Sequence, residues 1–532
     1  MLYDDILLNI FQQYLEATPR LWPILIHVCR RWKQVLLGSP LSLQLRLYCT
    51  HGTPVLKTLD CWPPLPLVLN YGGMPMLKPP ASEDEDNIIG ALMQSDRVKS
   101  ISLTVTILLL GKLSTISELF WELEELFLIS QDSLQLTLPS TFRWGSCLRT
   151  LHVTRIAVLS LPPLLSSSTD LVDLQLHEIP TTGYFSPQVL ASVLSGASHL
   201  RSLSLHFHSF PPHQNYDLPN SHPIVLPVLT CFKYRGISKY LNNFVARIDT
   251  PHLRDIDITF FSQPTMDTWQ LGQFIERTEL QMTLTEAKMK ISAHSISISF
   301  RNLIISTCLQ LRISCRQLDW QLSSMAQVCD QLAPFLSGVN HLSFNSNDFS
   351  SEQGDVDGEQ WLQLVRPFSH TKTLSIAGKL AIGLLCALRL PEGGHTPDAT
   401  VLPALRTLRI RKPMPLDWPF WDAARSLISS RALSFRPMES ELQVLCPICK
   451  TSIMPQQVRL HLVAQHAYKW VCSHCDDFKV RYILDFQAHL RNKHPEVAQN
   501  DKSLRSSKLT PFQVGPLASL HLDLHSSLHP PP

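Results

Sequence analysis

Eight residues toward the C-terminal end carry the strongest chemical pattern in the chain: Cys446-x2-Cys449-x11-His461-x4-His466, then Cys472-x2-Cys475-x13-His489-x4-His494. Thiolates two residues apart can turn back on one ion through a tight knuckle. Histidines about one helical turn apart share a face, so each set offers the four soft, tetrahedral ligands that zinc takes. The pattern therefore calls for two zinc ions. Inert buried cysteines would not produce two such sets in tandem.

These sets resemble a pair of Cys-Cys-His-His zinc fingers, which implies two small ββα units within residues 442–494. Ile453 with Val458, and Val480 with Phe486, stand in the approximate places of the small core that packs on the metal. Counting back from each first histidine, the base-reading positions hold Met454, Gln457 and Leu460, then Tyr482, Asp485 and Ala488. Only Gln457 and Asp485 can bond base edges, and no arginine stands there for guanine. Five residues, AYKWV, join His466 to Cys472 in place of the ordinary linker of nucleic-acid-binding arrays. A protein-binding or stabilising role is expected, while Arg459, Lys469, Lys479, Arg481, Arg491 and Lys493 leave weak nucleic-acid binding as the alternative.

Two other clusters look like ligand sets and are read otherwise. His206, His208, His213 and His222 with Cys231 match no compact spacing and are expected to be surface histidines. Asp355, Asp357 and Glu359 lack the ligand spacing and terminal glutamate of a calcium loop. No nucleophile elbow, phosphate loop, HExxH or kinase motif occurs, so no catalytic residue is assigned and the chain is read as a non-enzyme.

Most of the chain ahead of these ligand sets is organised by a repeat. LRTLHV at Leu148 recurs as VKSISL at Val98, LEELFL at Leu123, LVDLQL at Leu171, LRSLSL at Leu200, LRDIDI at Leu253 and LRTLRI at Leu405. The first five starts are 25, 25, 23 and 29 residues apart, close to the period of leucine-rich repeats. Between 260 and 400 the pattern blurs, leaving LQLRIS at Leu309, VNHLSF at Val339 and TKTLSI at Thr371. The last two leucines of each copy alternate with polar residues, as on a half-buried strand. One such strand cannot bury its apolar face, whereas a stack makes a continuous core and leaves a long sheet face for binding. The expected fold is α/β: a leucine-rich-repeat-like solenoid over 98–437, offering Phe127, His152, Gln175, Ser204 and Asp257 to a protein substrate.

At the N-terminus, Ile6, Leu7, Ile10, Phe11, Tyr14 and Leu15 form a helical stripe, and Leu21, Leu25, Val28, Trp32 and Val35 a second, ended by Gly38-Ser39-Pro40. LYDDILLNIFQQYL followed by LIHVCRRWKQVLLGSPLSLQLRL resembles an F-box over residues 1–50. The resemblance implies an all-α cap that docks on the small adaptor subunit of a cullin-RING ubiquitin ligase, through Leu2, Ile6, Leu7, Ile10, Phe11 and Trp32. Tyr3 stands where that family usually has proline. With the Trp62-Pro63-Pro64 join, the layout resembles F-box-like families of mushroom-forming fungi. Residues 51–97 are expected to connect, with Glu83 to Asp86 a solvated charge run, and 495–532 to form a disordered tail.

Composition bounds the rest. Lys plus Arg number 46 against 44 Asp plus Glu, so no global basic field draws nucleic acid or membrane. No apolar run approaches the ~20 residues of a bilayer span. MLYDD is acidic where a signal peptide would be basic, and the 13 cysteines are used as single thiols plus two ligand pairs. A cytoplasmic or nuclear location is expected. The function that follows is a substrate-recruiting adaptor of a ubiquitin ligase, with a zinc-finger nucleic-acid-binding protein as the alternative.

Overall fold

The computed structural model describes residues 3–72, 82–132, 136–210, 222–278, 284–301, 307–346, 357–378, 381–388, 401–410, 418–431 and 433–437, with the pairs 444–445, 452–453, 470–471 and 479–480. The chain divides into two compact units, Met1–Arg436 and Pro437–Pro532. No helix among the described residues is long and apolar enough to cross a membrane.

The first unit is a mixed α/β structure built on one large, mostly parallel sheet. Its strands in chain order are β1 (Leu47–Thr50), β2 (Leu67–Tyr71), β3 (Val98–Val105), β4 (Glu125–Ser130), β5 (Thr150–Thr154) and β6 (Asp173–Ile179). There follow β7 (Ser202–Phe207), β8 (Cys231–Gly236), β9 (Asp255–Phe261), β10 (Glu286–Ser292), β11 (Ser295–Arg301) and β12 (Cys308–Ser314). The last four are β13 (His341–Ser346), β14 (Thr373–Gly378), β15 (Thr407–Ile410) and β16 (Ser434–Pro437). From β1 to β9 each strand lies parallel to the one before it. Parallel neighbours need a crossover, and most of the connections here contain a short helix.

Burial alternates along the strands as the repeat requires. Leu126 and Leu128, Leu151 and Val153, Leu174 and Leu176, Leu203 and Leu205, Ile256 and Ile258, and Leu408 and Ile410 are buried, and so is the leucine that opens each of these copies. They belong to one hydrophobic core running from Leu7 to Leu433. The opposite face of the sheet is left half-exposed.

The order is interrupted once, which explains the blurred pattern after residue 260. From β9 the chain passes over two places to β10, turns back through Ala293-His294 into β11, and then enters β12 beside β9. β11 is antiparallel to both of its neighbours, and β13 resumes parallel pairing against β10. A hairpin needs no returning helix, so its two strands follow without a repeat spacing.

Residues 51–97 do more than connect. β1 and β2 pair in register, Leu47 with Leu67 to Thr50 with Asn70, so the sheet begins at Leu47 and not at Val98. Helix α4 (Val55–Cys61) lies between them and α5 (Ser82–Leu92) between β2 and β3. The charge run is the first turn of α5 and is not solvated throughout, since Asp84 and Glu85 are both buried. Asp84 accepts from the Gly52 N–H at 3.0 Å and bonds His51 Nδ1 at 2.9 Å. Glu85 and Asp86 pair with Lys112 at 3.0 and 2.9 Å. These carboxylates fasten neighbouring turns on the helical side of the sheet.

Ahead of the sheet stand α1 (Asp4–Ala17), α2 (Trp22–Ile26) and α3 (Arg30–Gly38). The second apolar stripe is not one helix. Pro23 falls in the first turn of α2, where its missing N–H does no harm. The chain then breaks, and Cys29 caps α3 through its sulfur and the Trp32 N–H. Trp22 is buried, donates its indole N–H to the Arg46 carbonyl at 2.7 Å, and meets Trp62 edge-on at 5.0 Å. That contact ties the helices to the first strands.

Candidate functional site

The half-exposed face of the sheet gathers all five substrate-facing candidates. Phe127 lies opposite His152, His152 opposite Gln175, Gln175 opposite Ser204, Ser204 opposite Lys233, and Lys233 opposite Asp257. They form one row running across β4 to β9. Lys233 was missed because its strand replaces the repeat's leucines with aromatics, as Leu229-x-x-Phe232-x-Tyr234. The copy starts that flank Leu229 are Leu200 and Leu253, and this spacing was the available signal.

Ser204 does not serve as expected. It is 2% exposed, and its hydroxyl sits 2.9 Å from His177 Nε2 and 3.4 Å from His206 Nε2. Beyond this point β6 carries a bulge between Leu176 and Ile179, where Glu178 takes a positive φ of 48°. Across from it Arg155 also has a positive φ, 62°, and pairs with Glu178.

The same face carries an aromatic ladder. Ring centroids step from Phe127 to His152 at 5.4 Å, to His177 at 5.3 Å and to His206 at 4.2 Å. His206 is therefore half-buried in a stack and is not a free surface histidine, whereas His208 and His222 are exposed. His213 lies outside the described residues. Burial, then the charges of His152 and Lys233, push His177 down to about 4. Burial, then His177, Arg235 and Lys233, do the same to His206, also to about 4. Burial lowers His152 against the opposing pull of Asp173, and its buried Nε2 has no hydrogen-bond partner.

Beyond the ladder a groove of about 520 Å³ opens, lined among others by His206, Lys233, Arg235, Asp257 and Arg312, with His294 and Ser295 from the inserted hairpin at its wall. Burial pushes the Asp257 carboxyl up, against Arg312, and its buried Oδ1 has no hydrogen-bond partner. Lys233, Arg235 and Arg312 are exposed, giving the groove an excess of positive charge that could hold anionic or acceptor-rich ligands.

The adaptor-facing candidates separate into two sets. Leu7 and Phe11 are buried in the core, and half-buried Trp32 lies edge-on to Phe11 at 4.9 Å. Leu7 and Phe11 are therefore packing residues, while Trp32 packs on Phe11 and keeps part of its surface open. Ile6 and Ile10 are 43% and 45% exposed and share their side of α1 with exposed Tyr3 and Tyr14. The single stripe read from sequence is thus two: residues 7, 11 and 15 sit about 100° around the helix from 6, 10 and 14. Leu2 lies outside the described residues.

All eight cysteine and histidine candidates, Cys446, Cys449, His461, His466, Cys472, Cys475, His489 and His494, lie outside the described residues, as does Asp355. Asp357 caps the helix Gly358–Val365, accepting from the Glu359 N–H at 3.2 Å. In the second unit two short antiparallel pairs are described: Val444 with Ile453 and Leu445 with Ser452, then Trp470 with Val480 and Val471 with Lys479. Each Cys-x-x-Cys falls in the sequence between the two strands of one pair. The nine cysteines outside those pairs are free thiols. No family model matches the chain, and no curated protein matches it.

Proposed function

We propose that this chain is a substrate-recruiting adaptor of F-box type, docking on the small adaptor subunit of a cullin-RING ubiquitin ligase and presenting a leucine-rich-repeat-like solenoid to a protein substrate. What supports the reading most is the second apolar stripe of α1, with Tyr3 ahead of it: Tyr3, Ile6, Ile10 and Tyr14 stay exposed while the adjacent stripe enters the core. Ile6, Ile10 and Tyr14 are 37–45% exposed, and covering that remaining apolar surface on a partner would add stabilisation at about 25 cal/mol per Å². Ile24 and Val28, from α2 and the turn after it, are exposed as well.

The remaining parts fit that role. The core of α1 to α3 is continuous with that of the sheet, so a substrate on the polar row would be held at a fixed position relative to a ligase bound at α1. The two strand pairs that bracket the Cys-x-x-Cys sequences suit ββα fingers in which Cys446, Cys449, His461 and His466, then Cys472, Cys475, His489 and His494, would each hold one zinc ion. Their role is accessory: zinc there supplies folding free energy to a small module.

The test is co-purification of the intact chain with the ligase adaptor, wild type against Ile6→Asp with Ile10→Asp. Adaptor recovery with wild type and loss with the double variant, at unchanged melting temperature, is the expected result. Failure of the wild type to bind at micromolar concentration removes the assignment.

A further inference from the structure

One row of the open face, two residues further along the strands than the candidate row, has a charge pattern of its own. His206 lies opposite Arg235, Arg235 opposite Thr259, Thr259 opposite Arg312, Arg312 opposite Ser297, and Ser297 opposite Lys290. Cations thus stand on every second strand, β8, β12 and β10, with hydroxyls between them. Continuing through Asn345 and Ala377, the row contains no acid. Arg235, Arg312 and Lys290 are all exposed, and the groove opens over the first two.

The spacing selects a ligand geometry. Neighbouring strands lie about 4.8 Å apart, so alternate strands place the cations roughly 9.6 Å apart. A fully extended peptide repeats its side chains on one face every two residues, roughly 6.6 Å, and does not match. A polyproline II helix has three residues per turn and a rise of about 3.1 Å per residue, which returns a side chain to the same face every ~9.3 Å. Ring surface that such segments use is also present. The Arg235 guanidinium lies 5.9 Å over the Phe261 ring, and Phe261 is 5.5 Å from exposed Phe210.

We propose that this row binds a segment of a partner protein in polyproline II conformation, with an anionic side chain at every third position facing Arg235, Arg312 and Lys290. It rests on the adaptor reading only in taking the ligand to be a protein. Carboxylate and phosphoryl groups share the required chemistry.

The experiment is a fluorescence anisotropy titration of the full chain with a labelled peptide of Glu-Pro-Pro repeats. The comparison is a scramble of the same composition with its glutamates contiguous. The repeat is expected to bind more tightly, and Arg235→Glu or Arg312→Glu to weaken it by about tenfold or more. Lys57→Glu, an equal charge reversal on exposed α4, is expected to change it little. Should Arg312→Glu lower the melting temperature, Arg312→Gln replaces it, and Arg312→Lys, which keeps the charge, should recover most of the binding. A repeat with phosphoserine for glutamate tells which anion is preferred, and tighter binding of either over the scramble supports the proposal. Equal binding of repeat and scramble, an equal loss with Lys57→Glu, or tighter binding of single-stranded RNA overturns it. Adaptor recovery runs through α1, so peptide binding lost with adaptor binding intact fails this inference alone, and the reverse fails only the adaptor reading.

Discussion

The imidazole of His177 lies flat on that of His206, with ring centroids 4.2 Å apart and planes 8° from parallel. Two imidazolium rings could not stack so closely without repulsion, and burial with the neighbouring Lys233 and Arg235 disfavours charge further. Both rings are thereby kept neutral well below their ordinary value of about 6.5.

That neutrality makes folding depend on pH. Between about pH 6.5 and about pH 4 the unfolded chain takes up a proton on each histidine that the folded chain does not. Stability is therefore full above the upper limit, falls as pH drops through this window, and loses nothing more from these groups below it. Thermal melts across the window should show the decline. His206→Gln should remove up to about one proton from the difference in uptake and flatten it. A variant with an unchanged pH slope would contradict the assignment.

The two stripes of α1 predict opposite outcomes for adjacent residues. Phe11→Ala empties a buried site beside Trp32 and should cost about 3–5 kcal/mol, seen as a lowered denaturation midpoint. Ile10→Asp, on the exposed side, should leave the midpoint nearly unchanged and act on adaptor binding alone.

Asp84→Ala should cost about 1–3 kcal/mol, because it leaves the Gly52 N–H and the His51 Nδ1 without their carboxylate. Hydrogen exchange should quicken first between β1 and α4, ahead of the rest of the sheet. Uniform quickening across the sheet would argue against this local role.

Much of the sheet was legible because leucine alternation is a strong period-two signal. Leu126 with Leu128 and Leu203 with Leu205 face inward as their spacing requires. The register then follows, which is why Phe127, His152, Gln175 and Asp257 could be named and do share a row. What stayed hidden depended on contacts distant in sequence. Asp84 meets a loop 32 residues away, and nothing in a run of four acids marks which of them turns inward. Ser204 is covered by His177 from the neighbouring strand and by His206, and Lys233 sits in a copy whose leucines are aromatic. The split of α1 into an inner and an outer stripe needed the core itself, since both stripes are apolar.

Leu151→Asp and Leu203→Asp should disrupt the sheet, each placing an unpaired carboxylate where the native side chain is 0% exposed, at a cost of several kcal/mol, roughly. Phe127→Ala and His152→Ala, on the open face of the same sheet, should stay folded. Circular dichroism and elution volume separate the cases. Loss of fold from both sets would mean that the open face is covered in the protein.

The last prediction concerns the second unit. A segment of about 50 residues, split into two small sets, lies near the size at which a chain needs a metal or another staple to fold. Structural zinc contributes about 10–16 kcal/mol of apparent binding free energy at neutral pH. Reduced, purified protein should therefore hold two zinc ions per chain, and Cys446→Ser should lower this to one. Chelation should melt the segment around residues 444–494 while the leucine sheet keeps its own transition. The gap between Cys475 and His489 is the longer of the two, and the second site is expected to empty first as chelator is added. Metal analysis giving no zinc would remove the finger reading. Titration with random duplex and single-stranded DNA and RNA decides the module's partner. Phosphate contacts release counterions, so tight binding with a steep salt dependence would assign the fingers to nucleic acid, and weak binding would leave them to protein.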